Sequence, residues 1–357
     1  MKLNLFGNWE IKKTNSSSGW KKFGISAASI VLGLIFAGIF VLATGNDPLK
    51  LYNIILQSSV GSTYGFEQTV AEMIPLALCS LGVALAFRMQ LWNIGAEGQF
   101  YMGAFAATYF ALFFPGLPKI ILLPLMIIAG CIGGGLWSLI PALPKAFWNV
   151  NETISTLLLN YVAYLWVAFL VFGPWKDPQG HNFPLTKQFS DSATIPSLGN
   201  TGITYTIFGM LIIAVAMFFV LKYSKWGYEI RVSGSSRKAS DYAGMSYIKN
   251  VLLVMFVSGA ISGLAGMAEV SGVLNRLQQT ISPGYGYTAI IIALLARLNP
   301  LGILLVSFLM GGLLVGGYSL QTSNFPSSMV SMFQGSILFF VLAGEIFNNY
   351  RVVRKKA

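Results

Sequence analysis

The chain has 357 residues, of which 55% are hydrophobic and only 10% charged, and its mean hydropathy is +0.67. A soluble domain carries about 25% charged residues, so this composition excludes a cytosolic globular enzyme, a disordered protein and a nucleic-acid binder. The net charge of +11 therefore reads as membrane topology, because basic residues of a polytopic protein stay on the cytoplasmic side.

Residues 1–24 form a polar, basic tail, with Lys2, Lys12, Lys13, Lys21 and Lys22 against Glu10. The apolar run from Gly24 to Thr44 is longer than the core of a secretory signal and reads as an uncleaved first membrane helix. Residues 45–68 include a short amphipathic stretch (Leu49, Leu51, Ile54, Ile55) suited to the membrane interface. Further spans, bounded by Gly, Pro, Asn or charge, are expected at 69–88, 97–114, 120–140, 151–172, 204–221, 250–270, 286–298, 301–319 and 328–347. Two long loops separate them: 173–203, outside, holding His181, and 222–249, inside and basic. A basic tail, 351–357, closes the chain. The expectation is an all-α polytopic membrane protein of about ten transmembrane helices, with a transmembrane domain over 25–350 and both termini cytoplasmic.

The charges test that topology. It places 18 of the 23 Lys and Arg inside: the N-terminal lysines, Arg88, Lys145, the 222–249 cluster, Arg297 and the C-terminal tail. Lys50, Lys119, Lys176, Lys187 and Arg276 fall outside. Moving the middle by one helix would expel the 222–249 cluster, so the parity there is fixed by the positive-inside rule.

Familiar catalytic patterns are missing. Cys79 and Cys131 lie in apolar segments, too few for a disulfide framework and without metal spacing. The single histidine, His181, builds neither a zinc site nor a Ser-His-Asp arrangement. With no Walker A loop and no H-E-x-x-H, no catalytic residue, metal or cofactor is expected.

Three polar segments interrupt the apolar runs. Leu91–Gln99 (LWNIGAEGQ) packs Asn93, Glu97 and Gln99 around two glycines. It reads either as a helix break lining a translocation path or as a turn whose Glu97 favours the N-terminal dipole of the next helix. Asn149–Asn160 begins a helix, with Asn151 as N-cap and Glu152 in the first turn. Ser155, Thr156 and Asn160 then bond other helices or line the path. In the inner loop, Ser236–Ala243 reads as a short helix closed by Gly244, either an interfacial helix gripping anionic lipid or a docking knob.

Among the acids near the spans, Glu72 and Glu269 look the most buried. Gly130/Gly134, Gly259/Gly263 and Gly312/Gly316 have the spacing for close helix packing. A faint repeat relates LGVALAFR (81–88) to IIIALLAR (290–297), each an apolar run stopped by Arg and restarted at a Gly-bearing turn, as in duplicated transporter halves.

At these residues the sequence resembles the permease subunits of bacterial ABC importers for nucleosides and simple sugars, in the branched-chain amino acid and ribose permease superfamily. The resemblance rests on LGVALAFRMQLWNIGAEGQ (81–99), the N-E-x-I-x-T-L-x-L-N-Y run (151–161), RVSGSSRKASDYAGMSYIKN (231–250) with SGAISGLAGMAEVSG (258–272), and SPGYGYTAIIIALLARLNPLG (282–302). It implies that Glu97 and Gln99 lie near the substrate path, for which Trp92, Asn93, Asn151, Thr156 and Asn160 of the polar segments are the further candidates. It makes 231–244 the coupling helix that docks on an ATPase, through Arg237, Ala239, Asp241, Ala243 and Gly244. Relatives carry Glu or Pro-Glu-Ala-Ala before the Tyr-Ala-Gly, where this chain has Arg237-Lys238-Ala239-Ser240. Implied partners are an ABC ATPase subunit of single or double length, a second related permease, an extracytoplasmic substrate-binding lipoprotein and membrane lipid. The implied location is the bacterial inner membrane. The alternatives are an ion-coupled secondary transporter using Glu72 and Glu269, a permease for riboflavin, or a polytopic membrane enzyme. Trp92, Tyr101 and Tyr161 could stack a nucleobase or serve as interfacial anchors.

Overall fold

Residues 9–13, 19–180, 183–322 and 328–354 are described by a computed structural model; Lys2, His181, Lys355 and Lys356 lie outside the described residues. In chain order the elements are β1 (Trp9–Lys13), α1 (Gly19–Ala43), α2 (Pro48–Val60), α3 (Thr63–Arg88), α4 (Ala96–Phe113), α5 (Lys119–Trp148) and α6 (Glu152–Phe172). Then come α7 (Thr206–Tyr223), α8 (Lys225–Ser235), α9 (Arg237–Tyr242), α10 (Tyr247–Gly272), α11 (Tyr285–Leu295), α12 (Pro300–Thr322), α13 (Ser328–Asn349) and β2 (Tyr350–Arg354). Among the described residues, α3, α5, α6, α7, α10 and α12 are long and apolar enough to cross a membrane.

The chain divides into two compact units. The first contains residues 1–58 and 316–357. Here α1 packs on α13 closely enough that a Cβ on Gly33 would lie 2.9 Å from the Cα of Ile337. The Tyr52 hydroxyl donates to the carbonyl of Leu34 at 2.6 Å. The amphipathic stretch is the helix α2, which buries Leu51 and exposes Leu49. β1 and β2 form an antiparallel ribbon, with Trp9 opposite Arg354 and Lys13 opposite Tyr350. The all-α class holds for the body of the chain; this ribbon is an addition in the tails, whose charge pattern carries no strand signal and whose alternation (WEIKK, YRVVR) is only five residues long.

The second unit covers 59–315. Its central helix is α3, started by Ser62, whose hydroxyl accepts from the Gly65 N–H at 3.0 Å. Every residue from Ile74 to Phe87 is buried, as expected of a helix that is apolar all round. α4, α5 and α10 meet at glycines. Gly103 of α4 lies against Gly263 of α10, and a Cβ on Gly134 of α5 would reach the Gly263 Cα at 2.7 Å. The two small-residue pairs legible at 130/134 and 259/263 are thus each other's partners. Lipid gives helices no hydrophobic reason to associate, so close backbone approach supplies the dispersion contact instead.

Two expected spans change. The 120–140 span runs two turns further, to Trp148, and ends on Asn149 in the left-handed region (φ 54°). The 286–298 span is an 11-residue helix, about 16 Å long against a hydrocarbon core of about 30 Å. Residues 274–284 before it are not helical. They are strapped by the loop after α6, where Thr186 N–H donates to Leu277 and Phe189 N–H to Asn275, at 2.9 and 2.8 Å.

Candidate functional site

The most polar interior lies where α3 gives way to α4. The α3 helix ends at Arg88, and Gln90 turns the chain with φ 59°. Residues 91–95 then run without helical bonding until α4 starts at Ala96. Such a break leaves main-chain N–H groups with no intrahelical acceptor. In a membrane interior each would cost several kcal/mol unpaired, an order-of-magnitude figure.

α6 supplies the acceptors. Glu152, Thr156 and Asn160 are spaced four apart and share one buried face. Glu152 Oε1 accepts from the Trp92 N–H at 3.2 Å, Thr156 Oγ1 from the Ile94 N–H at 3.2 Å, and Asn160 Oδ1 from the Gly98 N–H at 2.8 Å. Asn160 Nδ2 also donates to the Ile94 carbonyl at 2.9 Å. Glu152 keeps its charge balanced through Lys145 at 2.9 Å.

Asn93 closes the other side. Its Oδ1 accepts from the Gly95 N–H at 3.0 Å and from Gln99 Nε2 at 3.1 Å, and its Nδ2 donates to Ser258 Oγ of α10 at 3.0 Å. The Ser258 hydroxyl donates onward to the Gly82 carbonyl of α3 at 2.7 Å. One amide therefore joins three helices.

Glu97 reaches forward rather than back. Its Oε2 accepts from the Gly286 N–H at 2.7 Å, so it caps the half-helix α11 from outside. A Cβ on Gly286 would meet the Glu97 Cα at 2.6 Å, so only glycine permits this approach. Ser282 Oγ accepts from the N–H groups of Gly284 and Tyr285, at 3.0 and 2.9 Å. Glu72 of α3 accepts from the Tyr285 hydroxyl at 2.7 Å.

The second feature is the helical elbow α8–α9. Ser236 caps α9 by accepting from the Ala239 N–H at 3.2 Å, and Gly244 ends it with φ 73°. The exposed face carries Arg237, Lys238, Ala239, Asp241, Tyr242, Ala243 and Gly244, with Tyr242 97% exposed. Ser240 alone of α9 is buried, its hydroxyl 2.9 Å from that of Ser233. Asn250 Nδ2 joins the elbow to α10 through Glu229 Oε2 at 3.2 Å. At Gly234 the elbow touches the α3–α4 connection, since a Cβ there would lie 2.9 Å from the Met89 Cα.

The sequence-derived residues divide by position. Asn93, Glu97, Gln99, Thr156 and Asn160 come together, buried, in one network. Trp92 stands at its edge, 51% exposed, with its ring 4.9 Å from that of Phe87. Asn151 is an exposed N-cap whose Oδ1 accepts from the Thr153 N–H at 2.9 Å. Ser258, Gly286 and Tyr287 were not singled out by the sequence reading. Ser258 and Gly286 are indistinguishable there from other small residues of apolar runs, and only the tertiary pairing marks them. Among the described residues no three His, Cys, Asp or Glu side chains converge to hold a metal.

A family model described as "Branched-chain amino acid transport system / permease component" matches residues 65–342. The chain belongs to this family. The permease is 35% identical over 345 residues to the glucose ABC transporter permease protein TsgB13 of Haloferax volcanii, covering 93% of this chain and 90% of that one. It is 34% identical over 321 residues to the guanosine ABC transporter permease protein NupP of Bacillus subtilis, covering 88% and 91%. A second guanosine permease protein of B. subtilis, NupQ, is 29% identical over 274 residues, covering 74% and 83%. In fold the permease is similar to a solved inward-facing metal-chelate type ABC transporter, with TM-score 0.50 at 19% identity over 92% of this chain and all of that one. The chain is thus a multi-pass permease component of an ABC transporter.

Proposed function

We propose that this permease forms the translocation path of an ATP-driven importer of nucleosides in the bacterial inner membrane, and that α9 couples it to a separate ATPase. The observation that carries the reading is the exposed, glycine-closed α9, whose elbow partner α8 is seated through Gly234 on the connection that leads into α4. The similarity to a guanosine permease supports the substrate class.

On this reading α9 is cytoplasmic, both termini are cytoplasmic, and α11 with the non-helical residues before it makes one broken crossing among about ten. ATP binding moves α9. Its elbow partner α8 pushes on Met89, and the α3–α4 connection transmits the push to α4, α6 and α10, which the polar network ties together. Arg237, Ala239, Asp241, Ala243 and Gly244 face the ATPase. Asn93, Glu97, Gln99, Thr156 and Asn160 act as the fixed frame beside the path, while Trp92 and Asn151 stand at its cytoplasmic mouth. A second, related permease completes the path, consistent with the two B. subtilis guanosine permease proteins that both match this chain. An extracytoplasmic binding protein delivers the solute.

The test is uptake of labelled guanosine, uridine and glucose by vesicles holding the permease with its genomic neighbours. ATP-dependent nucleoside accumulation supports the reading. Accumulation of glucose alone moves the substrate to sugars, and accumulation without any ATPase subunit overturns the coupling.

A further inference from the structure

The polar network does not exhaust the hydrogen-bonding groups at membrane depth. A second set sits on its open side, around the N-terminus of α11. Tyr161 is nine residues into the 21-residue α6, about 13 Å from its start and so near the middle of the helix. It is 61% exposed, and Tyr287 at the start of α11 is 40% exposed. Between them, Asn160 Nδ2 donates to the Tyr287 hydroxyl at 3.3 Å. One turn along α6, the Tyr164 hydroxyl accepts from Gln279 Nε2 at 2.8 Å. The Tyr101 hydroxyl donates to the Gln279 carbonyl at 3.4 Å, and the Tyr101 and Tyr164 rings meet edge to face at 5.8 Å.

Two physical constraints act on this surface. Phenol and carboxamide groups at mid-membrane depth are expensive against lipid tails and favour a wet or protein-covered face. Non-helical backbone, here 274–284, is tolerated at that depth only where protein buries it or where it lines a water-filled cavity. A half-helix preceded by such a segment is also the usual architecture of a transporter's binding site.

We propose that Tyr161, Tyr164, Gln279 and Tyr287 form a substrate-contact surface on the translocation path, built for a neutral ring-shaped solute that both donates and accepts hydrogen bonds. This deepens the import reading above and rests on it. The Tyr164 and Tyr287 hydroxyls each accept one bond and keep a proton to donate, while the Gln279 carboxamide oxygen offers an acceptor. Tyr161 and Tyr287 present ring faces on which a base can stack. The adjoining acid, Glu97, is spent on Gly286, and none of the four side chains is a lysine or arginine. The four side chains therefore suit a neutral nucleoside and carry no positive charge to balance the phosphate of a nucleotide.

The test uses the whole transporter. Tyr287→Phe and Gln279→Ala should each raise the KM for nucleoside uptake about five-fold, the worth of one hydrogen bond near 1 kcal/mol, with Vmax and ATPase rate nearly unchanged. Tyr109→Phe, in the aromatic cluster with Phe113 and Trp175, should leave uptake as it is. In a Cys79→Ala, Cys131→Ala background, Tyr161→Cys should react with a membrane-impermeant cationic thiosulfonate, and nucleoside should protect it. Unmoved KM values, or a Tyr161→Cys that never reacts because a dry subunit interface covers it, overturn the proposal. If the wild-type transporter carries glucose and no nucleoside, the substrate reading falls. Protection of Tyr161→Cys by glucose would then still support the surface, and no protection by either solute would overturn it.

Discussion

The guanidinium of Arg88 donates two hydrogen bonds to the carbonyl of Leu298, at 3.2 Å from Nε and 2.9 Å from Nη2. The other end of the same helix pair is held by Glu72 and Tyr285. α3 and α11 therefore run side by side and parallel, from the Glu72–Tyr285 bond to the Arg88–Leu298 bond. Both end in turns with left-handed residues, Gln90 in one and Arg297 and Leu298 in the other. The two apolar runs that stop at arginine, 81–88 and 290–297, are thus spatial neighbours.

Arg88→Ala should destabilise the purified permease by about 2 kcal/mol, since a half-buried carbonyl loses a charged, two-pronged donor. Arg88→Lys keeps the charge but cannot form the fork and should recover about half of that loss. Thermal unfolding in detergent checks both. Equal melting temperatures for wild type and Arg88→Ala would show that the clasp contributes nothing.

The α6 ladder makes a sharper case. Asn160→Leu leaves the Gly98 N–H and the Ile94 carbonyl without partners, at about 1–3 kcal/mol each. Thr156→Val removes one acceptor from the neighbouring Ile94 N–H. Because both side chains serve the same five-residue connection, the double variant should lose less than the sum of the singles, by about 0.5 kcal/mol or more. Strict additivity of the melting shifts would mean that the connection is not one cooperative element.

Much of this was legible in the sequence. Apolar runs and caps mark the helices, because burial and capping are local chemistry: Asn151 caps as its position implies, and Gly244 closes the short helix that its position predicts. The glycine pairs at 130/134 and 259/263 gave a packing stripe without naming its partner. What the sequence did not decide was the fate of the polar residues. Glu97 could cap its own helix or meet substrate; it caps α11, 189 positions away in the chain. The 286–298 run reads as a span by hydropathy, yet the helix covers only Tyr285–Leu295, because the chain turns at the left-handed Arg297 and Leu298 (φ 53° and 57°), where Arg88 holds the Leu298 carbonyl. Both outcomes are set by long-range pairing that no window of sequence contains.

The glycine contacts give a prediction about assembly. Gly134→Leu would drive a side chain into the Gly263 backbone, where even a Cβ lies 2.7 Å from Cα. Neither backbone can yield, so overpacking well above the usual 1–3 kcal/mol is expected, with little monodisperse permease recovered from membranes. Gly209→Ala, whose Cβ meets nothing within 4 Å, should be recovered at the wild-type level. Equal recovery of Gly134→Leu and wild type would refute the close approach of α5 and α10.

The proposed coupling surface allows docking to be separated from folding. Asp241 and Arg237 are both largely exposed and 3.9 Å apart, a pair worth at most a few tenths of a kcal/mol. The Tyr242 side chain faces solvent almost entirely. Asp241→Arg with Tyr242→Arg should therefore leave the melting temperature of the isolated permease within about 2 °C of wild type, since surface changes stay within about 0.5 kcal/mol. The same variant should abolish ATP-driven uptake and co-purification of the ATPase subunit, because two added cations face the docking partner. Gly234→Leu acts differently. It pushes α8 off Met89, so the ATPase should still bind and hydrolyse ATP while transport falls. Normal uptake by the Asp241→Arg, Tyr242→Arg variant would remove α9 from the coupling route, whereas normal uptake by Gly234→Leu would remove only the step from α8 to the α3–α4 connection.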